Sequence, residues 1–310
     1  MSVEQMMHTI MDETAYLPQP DVTLTVAELV KAETNEVLAF LSERPIHTVC
    51  MMGLIRDNGL VSEHNRGSFY GCRNSEGRLE GVALIGHATL IETRTRGAIR
   101  EFALVAQIHH RLHMIMAEQE KVEEFWNHYA DDGQSMRLVC RELLFELKSS
   151  VENRTQVEGL RLATLDDLQL IAPVHAAMAE AESGINPLEE DREGFLSRCA
   201  RRISKNRVWV VVEDERLIFK ADVQAETSEV IYLEGIYVDA QQRGSGIGRR
   251  CFVQLSRILL ERTNSLYVLV NEENEKAHAF YRMCGFRRIS NYDTIFLKRE
   301  SVSNKSATIN

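Results

Sequence analysis

The 310-residue sequence lacks the features that would place it in a membrane or outside the cell. It contains no continuous apolar run near the roughly 20 residues that are needed to span a bilayer. Its first residues, MSVEQMMHTIMDETAY, have neither the basic start nor the apolar stretch of a signal peptide. We therefore expect a cytoplasmic protein that does not associate with a membrane.

Cysteine pairs and metal-ligand patterns are also scarce. His109 and His113 stand four residues apart in a predicted helix, but no third ligand accompanies them, so we predict no metal. The cysteines show no CxxC spacing, which indicates reduced thiols and again favours the cytoplasm. The six cysteines are Cys50, Cys72, Cys140, Cys199, Cys251 and Cys284.

The sequence has no excess of positive charge. Its formal net charge is −10, which argues against nucleic acid or an anionic membrane surface as a partner. A hydrophobic content of 44% suits a globular protein with a substantial core, and 310 residues are enough for one large or two ordinary domains.

The same order of predicted elements runs twice along the chain. Each half has helices, then strands joined by a tight turn, then further strands alternating with helices. The segment EKVEEFW at residues 120–126 matches EKAHAFY at residues 275–281, at the same place in each half. We interpret this pattern as a duplicated α/β unit. The predicted domains are residues 22–150 and 158–300, and residues 1–21 and 301–310 are predicted to be flexible ends.

One glycine-rich segment in the second half is typical of a phosphate-binding loop. QQRGSGIGRR, residues 241–250, lies between the predicted strand EVIYLEGIYVD and the predicted helix RCFVQLSRILLE. No Lys-Ser or Lys-Thr follows the glycines, as a P-loop would require. A dinucleotide fingerprint read from Gly244 would place Arg249 where its last glycine belongs. Neither of these loops is therefore expected.

The segment instead resembles the coenzyme A pyrophosphate loop, R-x-x-G-x-G, of the GCN5-related N-acetyltransferase (GNAT) family. Arg243, Gly246 and Gly248 carry this pattern. A second family pattern, N-x-x-A-x-x-x-Y-x-x-x-G-F, follows at the expected place in NEKAHAFYRMCGF, residues 274–286. The resemblance covers about residues 160–298. It implies an α/β (α+β) fold with two GNAT-like domains, each a mixed, mostly antiparallel twisted sheet flanked by helices.

The resemblance also implies a site for acetyl-CoA as co-substrate, with no covalent acetyl-enzyme. Glycines let successive backbone N–H groups face one anion, and the helix that follows adds the positive end of its dipole. The pantetheine arm would pair with the strand at residues 233–238, where that strand separates from SLYVLVN, residues 265–271. The predicted cofactor-binding residues are Ile236, Tyr237, Val238, Arg243, Gly244, Ser245, Gly246, Ile247, Gly248, Arg249, Asn274 and Tyr281.

Two residues are candidates for proton transfer. Tyr281 occupies the position of the family's general acid, which protonates the departing sulfur. Its alternative role is an aromatic core residue. Glu234 is a carboxylate in the apolar run VIYLEGIYV, and burial there would favour a general base. Its alternatives are an acceptor-binding carboxylate or a structural salt bridge.

The acceptor is expected to bind near the loop AESGINPLEED, residues 181–191. Four of its acids are candidates for receiving a cationic amine, namely Glu182, Glu189, Glu190 and Asp191. Both a small-molecule amine and a protein amino group fit this prediction. The sequence does not determine the oligomeric state.

The first half does not repeat the glycine loop. Its corresponding segment, TRTRGAIREF, has one glycine, Gly97, and Trp126 stands where the second half has the tyrosine. We therefore predict one acetyl-CoA site, in the second half, and a role for the first half as scaffold or as a wall of the acceptor site. The chain is predicted to be an N-acetyltransferase. The alternative is a non-catalytic protein that senses acyl-CoA or binds a partner.

Overall fold

The computed structural model describes residues 23–109, 112–149 and 156–298. The predicted flexible ends, residues 1–21 and 301–310, lie outside these residues. None of the helices in the described ranges combines the length and the apolar composition of a membrane span. All six cysteines are described, and all are free thiols.

Strands and helices follow the predicted order. The strands are β1 Thr25–Glu28, β2 Gly67–Arg73, β3 Leu79–Gly86, β4 Ala88–Thr93, β5 Met114–Glu118, β6 Met136–Leu147, β7 Arg161–Leu162, β8 Val208–Glu213, β9 Arg216–Glu226, β10 Val230–Val238, β11 Ser265–Asn271 and β12 Arg287–Leu297. The helices are α1 Thr34–Leu41, α2 Pro45–Asn58, α3 Arg96–Gln107, α4 Gln119–Tyr129, α5 Leu168–Ser183, α6 Pro187–Glu190, α7 Arg192–Ser204, α8 Ile247–Leu260 and α9 Glu275–Met283.

All of the described strands form one sheet of 12 strands, in the order β1-β2-β3-β4-β5-β12-β6-β11-β10-β9-β8-β7. Neighbours are antiparallel except for two parallel pairs, β4 with β5 and β10 with β11. Each half has one of these parallel pairs at the same place in its element order. The sheet is therefore mixed and mostly antiparallel, as predicted.

The two halves exchange their last strands. The last strand of the second half, β12, pairs with β5 of the first half. The last strand of the first half, β6, pairs with β11 of the second half, and β6 and β12 pair with each other at the centre. Because ladder hydrogen bonds cross the centre of the sheet in this way, each half supplies a strand to the other. The periodicity of the sequence contained no sign of this exchange.

Helices cover both faces of the sheet and form the core with it. In the second half, the aromatic rings of Phe252, Tyr281 and Phe286 pack together against the sheet. Complete burial of a side chain such as Phe252 contributes about 1.5–3 kcal/mol. Helix α2 of the first half crosses to the second, where Val49 packs with Tyr232 and Tyr267. The first half thus covers part of the sheet beside the parallel pair of the second.

One predicted helix is shorter than expected, and it ends before the two histidines that were considered as metal ligands. Helix α3 ends at Gln107, and Ile108 is its C-terminal cap with 75% of its surface exposed. The backbone N–H of His113 donates to the carbonyl of His87 ahead of β5, and Tyr70 contacts His109. The prediction that His109 and His113 lie on one helix face is therefore wrong.

Candidate active site

The parallel pair of the second half opens into a slot. Residues 230–232 of β10 pair with residues 265–267 of β11, and the two strands separate beyond that point. Tyr232 and Tyr267 end the paired stretch with their rings stacked, 4.4 Å between centroids. A cavity of about 770 Å³ lies beyond them. The opening between the strands agrees with the separation that the resemblance to the GNAT family implied.

The predicted site residues divide between the slot and the loop beside it. Glu234, Ile236, Asn274 and Tyr281 all line the cavity. Residues 243–249 do not line it, and neither do Tyr237 and Val238. The loop follows β10, whose Ile236 lines the cavity, and Nε of Arg249 donates to the carbonyl of Met283, 3.3 Å away at the end of α9, the helix that carries Tyr281.

The three glycines of the loop have two different roles. Gly244 and Gly246 have φ angles of 81° and 82°, a left-handed conformation that favours glycine. Gly246 is also the N-terminal cap of α8. Gly248 lies within the helix, where a Cβ atom would approach Cγ2 of Val238 to 2.6 Å. Gly244 and Gly246 therefore shape the turn, and Gly248 lets the start of α8 pack closely on the end of β10.

The loop presents positive charge at the start of a long helix. Arg243 and Arg249 are both exposed, and each donates its Nε to a backbone carbonyl. The acceptor for Arg243 is Val238, at 3.2 Å. The first turn of an α-helix has N–H groups without intrahelical acceptors, and the helix dipole favours an anion there. The loop and the start of α8 therefore fit a pyrophosphate group.

Tyr281 lies between the aromatic core and the slot. It is 8% exposed, and its ring packs against Phe252, Phe280 and Phe286. Burial raises the pKa of Tyr281 above its usual value, so the hydroxyl is protonated at neutral pH. Asn274 fixes the start of the helix that carries this tyrosine, because its side chain accepts a hydrogen bond from the N–H of Ala277 at 3.0 Å.

A β-bulge interrupts β10 where the slot opens. Glu234 lies opposite Asp222 and Tyr237 lies opposite Lys220, so two residues of β10 face one residue of β9. Gly235 within the bulge has a φ angle of 61°. The fully buried Lys220 ammonium donates to the carbonyl of Gly235 at 3.0 Å and to Asp222 at 2.7 Å. A buried ion pair thus holds the bulge in place.

Glu234 belongs to the same charged network. Its carboxylate forms a salt bridge of 2.9 Å with Arg202, which also contacts Asp222 at 3.2 Å. Burial and the nearby Lys220 ammonium lower the pKa of His175 to about 3, so that imidazole is neutral. The salt bridge that was the alternative to catalysis is therefore present, although Glu234 also faces the slot.

Three side chains of this network have the right atoms to ligate a metal. Possible ligand atoms of His175, Asp222 and Glu234 lie within 4.8 Å of one another. Burial alone would raise the pKa of Asp222, but the Lys220 ammonium and the Arg202 guanidinium outweigh it and keep that pKa below its usual value. The ammonium and the guanidinium already compensate the negative charge of these carboxylates.

Two further carboxylates face the slot, and the sequence pointed to only one of them. Burial, Glu182, Glu234 and Asp293 raise the pKa of Glu142 to about 7, although the hydroxyl of Thr294 donates a hydrogen bond to it at 2.9 Å. Burial in the cleft and the charge of Glu234 raise the pKa of Glu182 to about 7. Glu182 keeps contact with water because the cavity around it is open.

Glu142 is the carboxylate of the slot that the sequence did not point to. It lies on β6, in the predicted strand RLVCRELLFEL of the first half, and only the strand exchange brings it to the slot of the second. A carboxylate within a largely apolar strand was the available signal, as it was for Glu234. The other predicted acceptor acids lie elsewhere: Glu189 and Glu190 are exposed on α6, and Asp191 caps α7 through the N–H of Gly194.

The equivalent place in the first half is filled. Arg44 forms salt bridges with Glu92 of β4 at 3.0 Å and with Glu118 of β5 at 2.8 Å, where those strands separate. Lys121 joins the cluster through Glu92 at 2.8 Å. The enclosed space left there is about 10 Å³. A larger groove, of about 640 Å³, lies between the start of α4 and β12, and Arg44, Glu118 and Lys121 of the cluster form part of its wall.

Similarity to known proteins agrees with this geometry. The model of the acetyltransferase (GNAT) family matches residues 175–286. That family uses acetyl-CoA as a co-substrate and transfers acyl groups from it. No curated protein sequence matches the chain.

Solved structures with the same fold span nearly the whole chain. A Drosophila protein is 12% identical with a TM-score of 0.65, covering 89% of this chain and 99% of its own. A GNAT acetyltransferase from Colwellia psychrerythraea is 11% identical with a TM-score of 0.57, covering 89% and 100%. A tandem GNAT protein from the clavulanic acid biosynthesis pathway is 12% identical with a TM-score of 0.55, covering 91% and 100%.

Identities this low show the shared fold alone. The sequence match covers β10, β11, the glycine loop and Tyr281, whereas the first half, which supplies Glu142 to the slot, is similar in fold. The second half therefore matches the model of the GNAT family over residues 175–286, and the two halves together have the fold of a tandem GNAT protein.

Proposed function

We propose that this protein is an N-acetyltransferase that moves the acetyl group of acetyl-CoA to a primary amine, with its active site in the second half. The observation that carries the proposal is the open slot between β10 and β11, bordered by Tyr281 and adjoined by the glycine loop. The predicted alternative is a non-catalytic protein that senses acyl-CoA or binds a partner. A slot filled by side chains would favour that alternative. Such filling occurs in the first half and not in the second.

Acetyl-CoA fits the described residues. It would supply the acetyl group as a thioester. Residues 244–249 and the start of α8 would hold the pyrophosphate, with Arg243 and Arg249 adding positive charge. Residues 236–238 would pair with the pantetheine arm, because the bulge and the separation from β11 leave this part of β10 with an open side.

In the proposed mechanism, backbone N–H groups near Ile236 stabilise the negative charge that develops on the thioester oxygen. The amine nitrogen forms a bond to the carbonyl carbon as the bond from carbon to sulfur breaks. The hydroxyl of Tyr281 donates its proton to the departing sulfur. A tyrosine kept protonated by burial suits this role.

A carboxylate removes the proton that the acceptor nitrogen must lose. Glu234 was the first candidate for this base, but its negative charge is already compensated by Arg202 at 2.9 Å, and taking up a proton would weaken that salt bridge. We assign the base to Glu142 instead. Burial and neighbouring carboxylates raise the pKa of Glu142 to about 7, which is near the optimum for proton transfer at neutral pH. Glu234 then orients Arg202 through that salt bridge.

Replacing the tyrosine hydroxyl tests the proposal. We expect Tyr281→Phe to lower kcat about 100-fold and to leave the Kd of acetyl-CoA within about twofold, because the ring packing is kept and only the acid is lost. Purified protein is incubated with acetyl-CoA and a panel of primary amines, and released coenzyme A is measured by chromatography.

The control is Tyr70→Phe, which removes a half-buried hydroxyl from the first half. It should match the wild type in both constants. Binding of acetyl-CoA without release of coenzyme A for any amine in the panel would favour the non-catalytic alternative. Equal kcat values for Tyr281→Phe and the wild type would remove Tyr281 from the mechanism.

A further inference from the structure

A second cavity lies between the two halves and meets the slot. Its volume is about 390 Å³, within the usual range for small-molecule sites. Helix α2 and strands β3 to β5 of the first half form its walls, together with β9 and β10 of the second. It shares four residues with the slot, namely Glu142, Glu182, Tyr232 and Glu234. A molecule in this cavity would therefore reach the slot beside the bulge of β10.

The cavity runs along one face of α2. Cys50, Leu54 and Asp57 line it from successive turns, which span roughly 10 Å at 1.5 Å per residue. Sγ of Cys50 lies 3.7 Å from the hydroxyl of Tyr267, so this residue marks the end nearest the slot. Between the two ends the walls are mainly apolar, with Leu54, Leu84, Leu90, Met114 and Met116 among them.

The two ends of the cavity differ in charge. The end at the slot has three carboxylates, Glu142, Glu182 and Glu234, and of these Glu234 has a salt bridge to Arg202. At the other end, Asp57 forms salt bridges with Lys205 at 3.2 Å and Arg207 at 2.9 Å. Negative charge is therefore in excess beside the slot and is compensated at the other end.

From these observations we infer that the acceptor is a small monoamine with an apolar body, which enters through the cavity between the halves and places its ammonium group between Glu142 and Glu182. The inference rests on the proposed acetyl transfer and names the acceptor class for it. A carboxylate on the carbon that bears the amine would lie beside the carboxylates of Glu142 and Glu182. A second ammonium at the far end would lie beside Lys205 and Arg207 in a mainly apolar channel.

Three amines with the same five-carbon spacing test this acceptor class with the wild-type protein. We expect kcat/KM to be highest for n-pentylamine. It should be at least 100-fold lower for norleucine, which adds a carboxylate to the carbon that bears the amine, and at least 10-fold lower for 1,5-diaminopentane, which adds a second ammonium. Equal values for n-pentylamine and norleucine would overturn the inference, as would a preference for the diamine. Acetyl-CoA binding with no acetylation of n-pentylamine, while other amines react, would overturn it too and leave the proposed function intact.

A variant that fills the cavity tests the route of entry. Leu54→Trp should raise KM for n-pentylamine at least 10-fold with an unchanged Kd for acetyl-CoA, because Leu54 lines the cavity between the halves and not the slot. Arg56→Trp adds the same side chain at an exposed position of the same helix and should leave both constants unchanged. The smaller Leu54→Phe provides the measurement if the tryptophan variant does not fold.

An unchanged KM in a folded Leu54 variant would overturn this route. Loss of acetyl-CoA binding in the wild type would instead contradict the proposed function itself, so the two failures are distinguishable.

Discussion

The close approach of α8 to β10 gives a quantitative prediction about the glycine loop. A Cβ atom at residue 248 would lie 2.6 Å from Cγ2 of Val238, whereas carbon atoms normally pack at about 3.5–4.0 Å. An overlap of this size typically costs about 1–3 kcal/mol, and the better helix propensity of alanine offsets at most about 1 kcal/mol. We expect Gly248→Ala to lower the free energy of unfolding by about 1–2 kcal/mol and to weaken acetyl-CoA binding at least 10-fold.

Shortening the other partner should relieve the overlap. Val238→Ala alone removes methyl groups from a partly buried side chain and should cost about 1 kcal/mol. The double variant should be more stable than the sum of the two single effects by at least about 1 kcal/mol, because the added Cβ then occupies the space that the valine methyl leaves.

Urea unfolding of the wild type, the two single variants and the double variant measures this coupling, and calorimetry gives the Kd for acetyl-CoA. Gly244→Ala is the control, since a Cβ there meets no atom within 4 Å but the φ angle of 81° strains alanine by about 1–2 kcal/mol. Val238→Ala should not rescue it. Additive effects of Gly248→Ala and Val238→Ala, within about 0.5 kcal/mol, would refute the reasoning.

Two further predictions concern charge. Arg44→Ala should lower the free energy of unfolding by about 1–3 kcal/mol in urea titrations, because it removes a partner of the buried Glu92. Arg94→Ala breaks an exposed pair and should cost less than about 1 kcal/mol. Equal costs would contradict a stabilising role for the salt bridges of Arg44. The pH profile of kcat/KM should rise through about pH 7 as Glu142 loses its proton. Glu182→Gln should shift that rise to lower pH, because it removes a like charge that raises the pKa of Glu142. Glu142→Gln should lower kcat/KM about 100-fold or more at pH 8, because the base is lost. A rise at the same pH in Glu182→Gln would contradict the coupling.

Local sequence patterns were sufficient to predict most of the helices and strands and the glycine loop. The apolar alternation of GSFYGCR and the turn after it gave β2, at the bounds that the structure has. The spacing of glycines in RGSGIG and of Asn274 and Tyr281 in the next motif depends on neighbours within one strand–loop–helix unit. Because such geometry is set by adjacent residues, the sequence was sufficient to predict it.

The partners and positions of the acidic residues in the slot could not be predicted from local sequence patterns. Glu234 stood out in its apolar strand, but its salt bridge comes from Arg202 on α7, 32 residues earlier in the chain. Glu142 belongs to the first half by sequence and to the slot of the second half by position. Both outcomes depend on which strands and helices become neighbours, and alternation along one strand does not encode its partner.

The duplicated order of elements, the resemblance of the second half to the GNAT family and the absence of the glycine loop from the first half could all be predicted from the amino-acid sequence. Three features became visible only in the folded chain: β6 and β12 change places, Arg44 and its partners fill the slot of the first half, and a cavity connects α2 with the slot of the second half. The physical reason is that strand pairing and inter-half packing depend on contacts between distant segments, whose free energies are settled by the whole sheet together.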